Sequence, residues 1–91
     1  MSTTVPTRAA ERQDELTALE RELATLDRSL ILIVRRRTEL VAAIEALRRA
    51  HGLPGTELTK ENELLQLYRH GLGREGVQLA LQLLEIGRAP S

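Results

Sequence analysis

Aromatic residues are almost missing from this chain: Tyr68 is the only one, with no Phe and no Trp. Any core must therefore come from Leu, Ile, Val and Ala, side chains that suit helix packed on helix. Cysteine is absent too, which excludes disulfides and thiolate metal sites and leaves the redox compartment unread. Net charge is lacking, because 13 basic residues balance 13 acidic ones. A nucleic-acid-binding domain usually carries a basic footprint, and none is present overall. The longest strongly apolar run, Leu30 to Val34, is far too short to span a bilayer. The opening MSTTVPT has no apolar segment of the kind a secretory signal needs, so the expected location is the cytoplasm.

Proline and glycine are missing from about Arg8 to Ala50. Within that stretch Leu16, Leu19, Leu23, Leu26, Leu30, Ile33, Arg37, Leu40, Ile44 and Leu47 follow alternating steps of three and four. This is a heptad stripe with one non-apolar member, and it predicts a single helix. At ~1.5 Å per residue the helix is a rod of roughly 64 Å. His51-Gly52-Leu53-Pro54-Gly55 ends it, with Gly52 placed for a left-handed cap. A second helix is expected from Thr59, a good N-cap, carrying Leu64, Leu65, Leu67 and Tyr68. His70 to Gly76 then reads as a turn. A third helix is expected over about Val77 to Ile86, apolar nearly all round and therefore buried. Residues 1–7 are expected to be disordered and residues 8–91 to form one all-α domain.

The rod is longer than two short helices can cover. Near Leu30 to Val34 and Val41 to Ile44 it is apolar on more than one face, and such surface is worth about 25 cal/mol per Å² when buried. A second copy of the chain is the expected cover. Docking of the long helix on a different protein is the alternative.

The residues that can carry chemistry are mostly cations. Arg37 stands where the heptad asks for an apolar side chain. On pattern alone it is a register-setting polar residue, an arginine reaching to the edge, or the binder of an anion. Arg48 follows eleven residues on, three helical turns, and projects from nearly the same face. It can equally be a solvated cation near a helix C-terminus. Lys60 opens the second helix, where the dipole favours acids, and an anion held there would resolve the conflict. An exposed lysine at small cost is the plainer reading. Glu61 is an ordinary first-turn acid, and Glu57 lies in the preceding loop. His51 and His70 flank turns without acidic partners and read as neither metal ligands nor bases. No phosphate-cradling loop, metal-ligand spacing or Ser/His/Asp arrangement is visible, so no cofactor and no metal are expected.

Several segments carry a family resemblance. Leu26 to Val41, LDRSLILIVRRRTELV, is similar to a pattern LD…LL.L…RR.E.. on a first helix. Gly52-Leu53-Pro54 with Thr59-Lys60-Glu61-Asn62-Glu63-Leu64-Leu65 resembles a loop followed by a D-R-E…V-L helix start. Leu83-Leu84-Glu85-Ile86-Gly87-Arg88 resembles a third helix ending in L-G-R-G-R. In this order, over about Leu16 to Arg88, they resemble the small all-α (AroQ-type) chorismate mutase family and its short cytosolic branch.

The resemblance implies an intertwined homodimer whose two sites each use both long helices. It implies rearrangement of chorismate, a small dicarboxylate, to prephenate through a chair-like transition state. Arg37 then matches the arginine on a substrate carboxylate, and Arg48 the cation on the ether oxygen. Lys60 matches an arginine on the other carboxylate, where lysine loses the bidentate fork. Glu61 and Glu57 fall at the hydroxyl end of the substrate. The family's early arginine, reaching into the partner's site, falls at Glu20, with Arg21 next to it and about 100° round the helix. A family glutamine near the ether oxygen falls past Ser91. The resemblance also implies a shikimate-pathway enzyme as a partner that completes some short members. Alternatives on the same scaffold are a 4-amino-4-deoxychorismate mutase, an isochorismate-pyruvate lyase and a non-catalytic helical dimer.

Overall fold

The computed structural model describes residues 7–54 and 58–88, together with the side chains of all of these except Arg88. Three helices account for nearly all of them: α1 over Arg8–Ala50, α2 over Leu58–Leu72 and α3 over Arg74–Arg88. The chain divides into two compact units, one ending at Ile33 and the other beginning at Val34. Within the described residues, the first unit is the N-terminal part of α1. The second holds the remainder of α1 with α2 and α3.

Capping fixes both ends of α1. The Thr7 hydroxyl accepts the Ala10 amide at 3.1 Å, satisfying one of the orphan first-turn donors. At the other end Gly52 takes φ of 66°, a conformation that carries little penalty without a Cβ. The Leu53 amide then donates to the Arg48 carbonyl at 2.8 Å and the Gly52 amide to that of Arg49 at 3.2 Å. These two bonds are the Schellman pair that satisfies carbonyls left over at a helix end. The expected helix and its stop therefore stand as read.

The second and third helices depart from expectation. Thr59 is the second residue of α2 and not its cap, since Leu58 is already helical. The turn expected over His70 to Gly76 shrinks to Gly73 alone. Gly73 has φ of 78° and donates its amide to the Arg69 carbonyl at 2.8 Å, closing α2. Its own carbonyl accepts the Gly76 amide at 3.0 Å, opening α3. Gly71 and Gly76 lie inside helices, so three glycines that look alike in sequence mark one turn.

Gly76 has a packing reason. It is buried where α3 crosses α2, and a Cβ built there runs into the Tyr68 carbonyl oxygen and comes within 2.8 Å of Leu72 Cβ. The two helices touch through this absence of a side chain. Below it Ala80 is fully covered and Leu83 is 6% exposed. The expectation that α3 is buried all round is not met in a single chain. Leu79, Leu81 and Ile86 stay exposed, because α2 packs against only the face of α3 that holds Gly76 and Ala80.

No residue of α1 is buried. Leu30, Ile31, Leu32 and Ile33 are each more than half exposed, and four consecutive residues point to every side of a helix. Among the described residues, no helix is long and apolar enough to cross a membrane.

Candidate active site

A cavity of about 260 Å³ lies within the second unit, between the C-terminal part of α1 and the two short helices. Its charged lining is Arg37, Glu45 and Arg48 of α1 with Lys60 and Glu61 of α2. Its apolar walls come from Val41 and Ile44, from Leu64, and from Leu83, Leu84 and Gly87. An apolar hollow with a few convergent polar groups is the usual form of a small-ligand site, and this volume suits one compact ligand.

Three adjacent arginines precede the cavity in sequence, and helix geometry separates them. Arg35 and Arg36 are exposed, and Arg36 Nη1 pairs with Glu39 Oε2 at 3.1 Å on the outside of the helix. Arg37, about 100° further round, is half-buried and lines the cavity. The heptad exception is thus the one arginine of the three that turns inward.

Arg48 is held at both its backbone and its side chain. Its carbonyl receives the Leu53 amide, and its guanidinium Nη1 donates to the Pro54 carbonyl at 3.4 Å. The left-handed turn at Gly52 makes both possible, because it brings residues 53 and 54 back over the last turn of α1. Lys60 and Glu61 reach the cavity from the first turn of α2, and Leu83, Leu84 and Gly87 from the last turns of α3. Gly87 leaves room: a Cβ there would sit 3.6 Å from Val41 Cγ1.

Arg37, Arg48, Lys60 and Glu61, singled out from sequence, thus line one cavity. Glu57 lies outside the described residues. Glu20 and Arg21 are exposed on α1 and are not among the lining residues of their own chain's cavity. His51 and His70 are exposed at the ends of α1 and α2 and do not line it either. Glu45 went unnoticed in the sequence, although its spacing, eight residues after Arg37 and three before Arg48, places it on the same side of the helix. The apolar walls also went unnoticed, since Leu83 and Leu84 have no signal that separates cavity from core.

Known proteins resemble this chain in sequence, and a solved structure resembles it in fold. A protein named intracellular chorismate mutase from Mycolicibacterium smegmatis is 40% identical over 76 residues, covering 81% of this chain and 71% of the relative. The chain belongs to the chorismate mutase family. An intracellular chorismate mutase from Mycobacterium tuberculosis is 37% identical over 75 residues, covering 81% of this chain and 70% of the relative. Among solved structures, a non-covalent complex of DAHP synthase and chorismate mutase from Corynebacterium glutamicum, with a bound transition state analog, contains a similar chain. That chain superposes with a TM-score of 0.78 at 30% identity, covering 88% of this chain and 96% of its own length. No protein-family model matches. Membership in the mutase family accounts for three helices, one of them very long, and for the absence of strands among the described residues.

Proposed function

We propose that the protein catalyses the pericyclic rearrangement of chorismate to prephenate in this cavity. The observation that carries the reading is the convergence of Arg37, Arg48 and Lys60 on one small, largely apolar hollow. The substrate is a dicarboxylate, and its breaking ether bond places partial negative charge on oxygen. Fixed cations aimed at the breaking bond stabilise such charge, and holding the substrate folded removes much of the entropic barrier. Arg37 and Lys60 bind the two carboxylates, Arg48 meets the ether oxygen, and Glu61 accepts from the substrate hydroxyl. Nothing in this scheme requires a covalent intermediate. Disappearance of chorismate in a direct optical assay tests it, and a purified, folded protein that leaves chorismate and its 4-amino analogue unchanged would exclude catalysis.

The working form is an intertwined homodimer. Nine apolar side chains of the heptad stripe, from Leu16 to Leu47, are each roughly half exposed in the single chain. Covering the rest of each is worth roughly 1 kcal/mol. For two chains that sums to roughly 18 kcal/mol, above the ~4–15 kcal/mol that association costs. Light scattering on a sizing column is expected to show twice the chain mass at micromolar concentration, and a stable monomer would refute the dimer.

In the dimer Glu20 stands where the family's arginine reaches across to the partner's site. Glu20→Arg changes the local charge by two units and is expected to raise kcat/KM by about tenfold, or roughly 1.4 kcal/mol. Arg21→Ala identifies whether the neighbouring arginine already fills that role, because only then does activity fall. The DAHP synthase complex of the relative supports a non-covalent partner of the same kind for this chain, acting in the cytoplasm.

A further inference from the structure

Helix α3 holds two glycines, Gly76 and Gly87, and they differ in what requires them. Packing requires Gly76, since a Cβ there collides with α2. Nothing in the fold requires Gly87. Its φ is not positive, so it is not the left-handed glycine of a helix cap. A Cβ built on it collides with nothing and makes one ordinary contact, 3.6 Å from Val41 Cγ1. Alanine is also the better helix former. The backbone and the packing of α3 would both accept a side chain at this position.

What such a side chain would take up is ligand space. Gly87 and Val41 both line the cavity, one on α3 and the other on α1. The single contact of an added methyl is with the opposite wall, so the methyl would bridge the gap between the two helices. The missing side chain holds that gap open. Arg37, Arg48 and Lys60 take the polar groups of a ligand, which leaves its hydrocarbon part to the apolar walls. In the mutase reading that part is a ring with its side chain folded over it, the form in which the new carbon–carbon bond can close. A folded molecule is thicker than an extended one, so the width at Gly87 bears most on the reacting form. Close-packed walls give little, and one methyl or methylene in an apolar pocket changes selectivity by about tenfold or more.

We propose that Gly87 is a specificity-determining residue of this cavity: its missing side chain sets the width between α3 and Val41 and so admits the compact, folded form of a ring-bearing dicarboxylate. The inference rests on the mutase reading of the site and deepens it. The cations select the charge of the ligand, and Gly87 selects its shape.

The experiment uses the full chain, Gly87→Ala, Gly71→Ala, Val41→Ala and the double variant that combines Gly87→Ala with Val41→Ala. For each, thermal melts give Tm and an optical assay gives kcat/KM for chorismate. Calorimetry gives Kd for an unreactive bicyclic dicarboxylate shaped like the folded substrate. Gly87→Ala is expected to melt no lower than the unaltered chain, yet to lower kcat/KM and raise Kd by about tenfold each. Gly71→Ala adds the same methyl away from the cavity and is expected to change neither. Val41→Ala alone loses a wall contact and weakens binding. In the Gly87→Ala background the same change removes the atom that the methyl meets, so binding and rate must rise again and recover most of the loss. That reversal of sign follows from a filled gap and not from a weakened fold. Unchanged kcat/KM and Kd in Gly87→Ala, a lowered Tm in that variant, or a double variant no better than Gly87→Ala overturns the proposal. Should the unaltered chain bind the bicyclic compound but leave chorismate unchanged, the mutase reading fails and the Kd series alone decides the role of Gly87. Binding of neither compound overturns both.

Discussion

Arg48→Ala is expected to lower kcat/KM for chorismate by at least about a hundredfold, equivalent to roughly 3 kcal/mol of transition-state stabilisation. The ether oxygen gains negative charge only as the bond breaks, so a cation aimed at it acts mainly on the transition state. Most of the loss should therefore appear in kcat and little in KM. Removing the side chain also deletes the hydrogen bond from Nη1 to the Pro54 carbonyl. That bond is long, at 3.4 Å, and only partly shielded, so the helix end should keep its form through the backbone bond from Leu53 to the Arg48 carbonyl. Circular dichroism should accordingly be unchanged. Arg48→Lys retains the charge without the planar fork and should recover part of the rate. Arg37→Ala contrasts with it: the lost carboxylate contact weakens substrate and transition state alike, so KM rises. Full activity in Arg48→Ala would show that the ether oxygen lies elsewhere.

Gly76→Ala is expected to destabilise the protein by about 3 kcal/mol, the upper part of the range for an overpacked core. The added methyl meets the Tyr68 carbonyl oxygen and Leu72 Cβ, neither of which is the far end of a flexible side chain. Relief requires α3 to move away from α2, uncovering Ala80 and Leu83 and displacing Leu84 and Gly87 from the cavity wall. For a domain of this size the loss corresponds to a fall in Tm of roughly 12–24 °C. Gly71→Ala is the control. It lies in the last turn of α2 with ordinary backbone angles and open space around it, so alanine there should be neutral or slightly stabilising. Thermal melts of the two variants, followed by ellipticity, decide the matter. Equal midpoints would mean that the α2–α3 contact is not as close as it stands here.

These two sites also mark how far the sequence could be read. The α1 helix was legible almost to the residue, because its evidence is local and repeated: an apolar residue every three or four positions, no glycine or proline, and a glycine where the stripe stops. The α2–α3 corner was not. Gly71, Gly73 and Gly76 look equally like turn residues, and only the crossing of two helices distinguishes the one with a left-handed backbone from the one that needs an empty side. Thr59 was misplaced by the same kind of error, since a good capping residue in sequence need not sit at the cap.

The candidate site divides in the same way. Arg37 announced itself by breaking the apolar stripe, Arg48 by its spacing from Arg37, and Lys60 by opposing a helix dipole, and all three line the cavity. Glu45 broke no local rule, being a charged residue in a helix rich in charged residues, and it took the tertiary structure to set it among those cations. By itself the sequence determined the helical class, the long first helix with both its ends and an apolar stripe too extensive for one chain to cover, because these depend on neighbours three or four residues away. The tertiary structure alone decided where α2 turns into α3, which face of α3 is covered, and which charges share one cavity. Those depend on packing between residues distant in the chain, for which a single sequence carries no periodic signal.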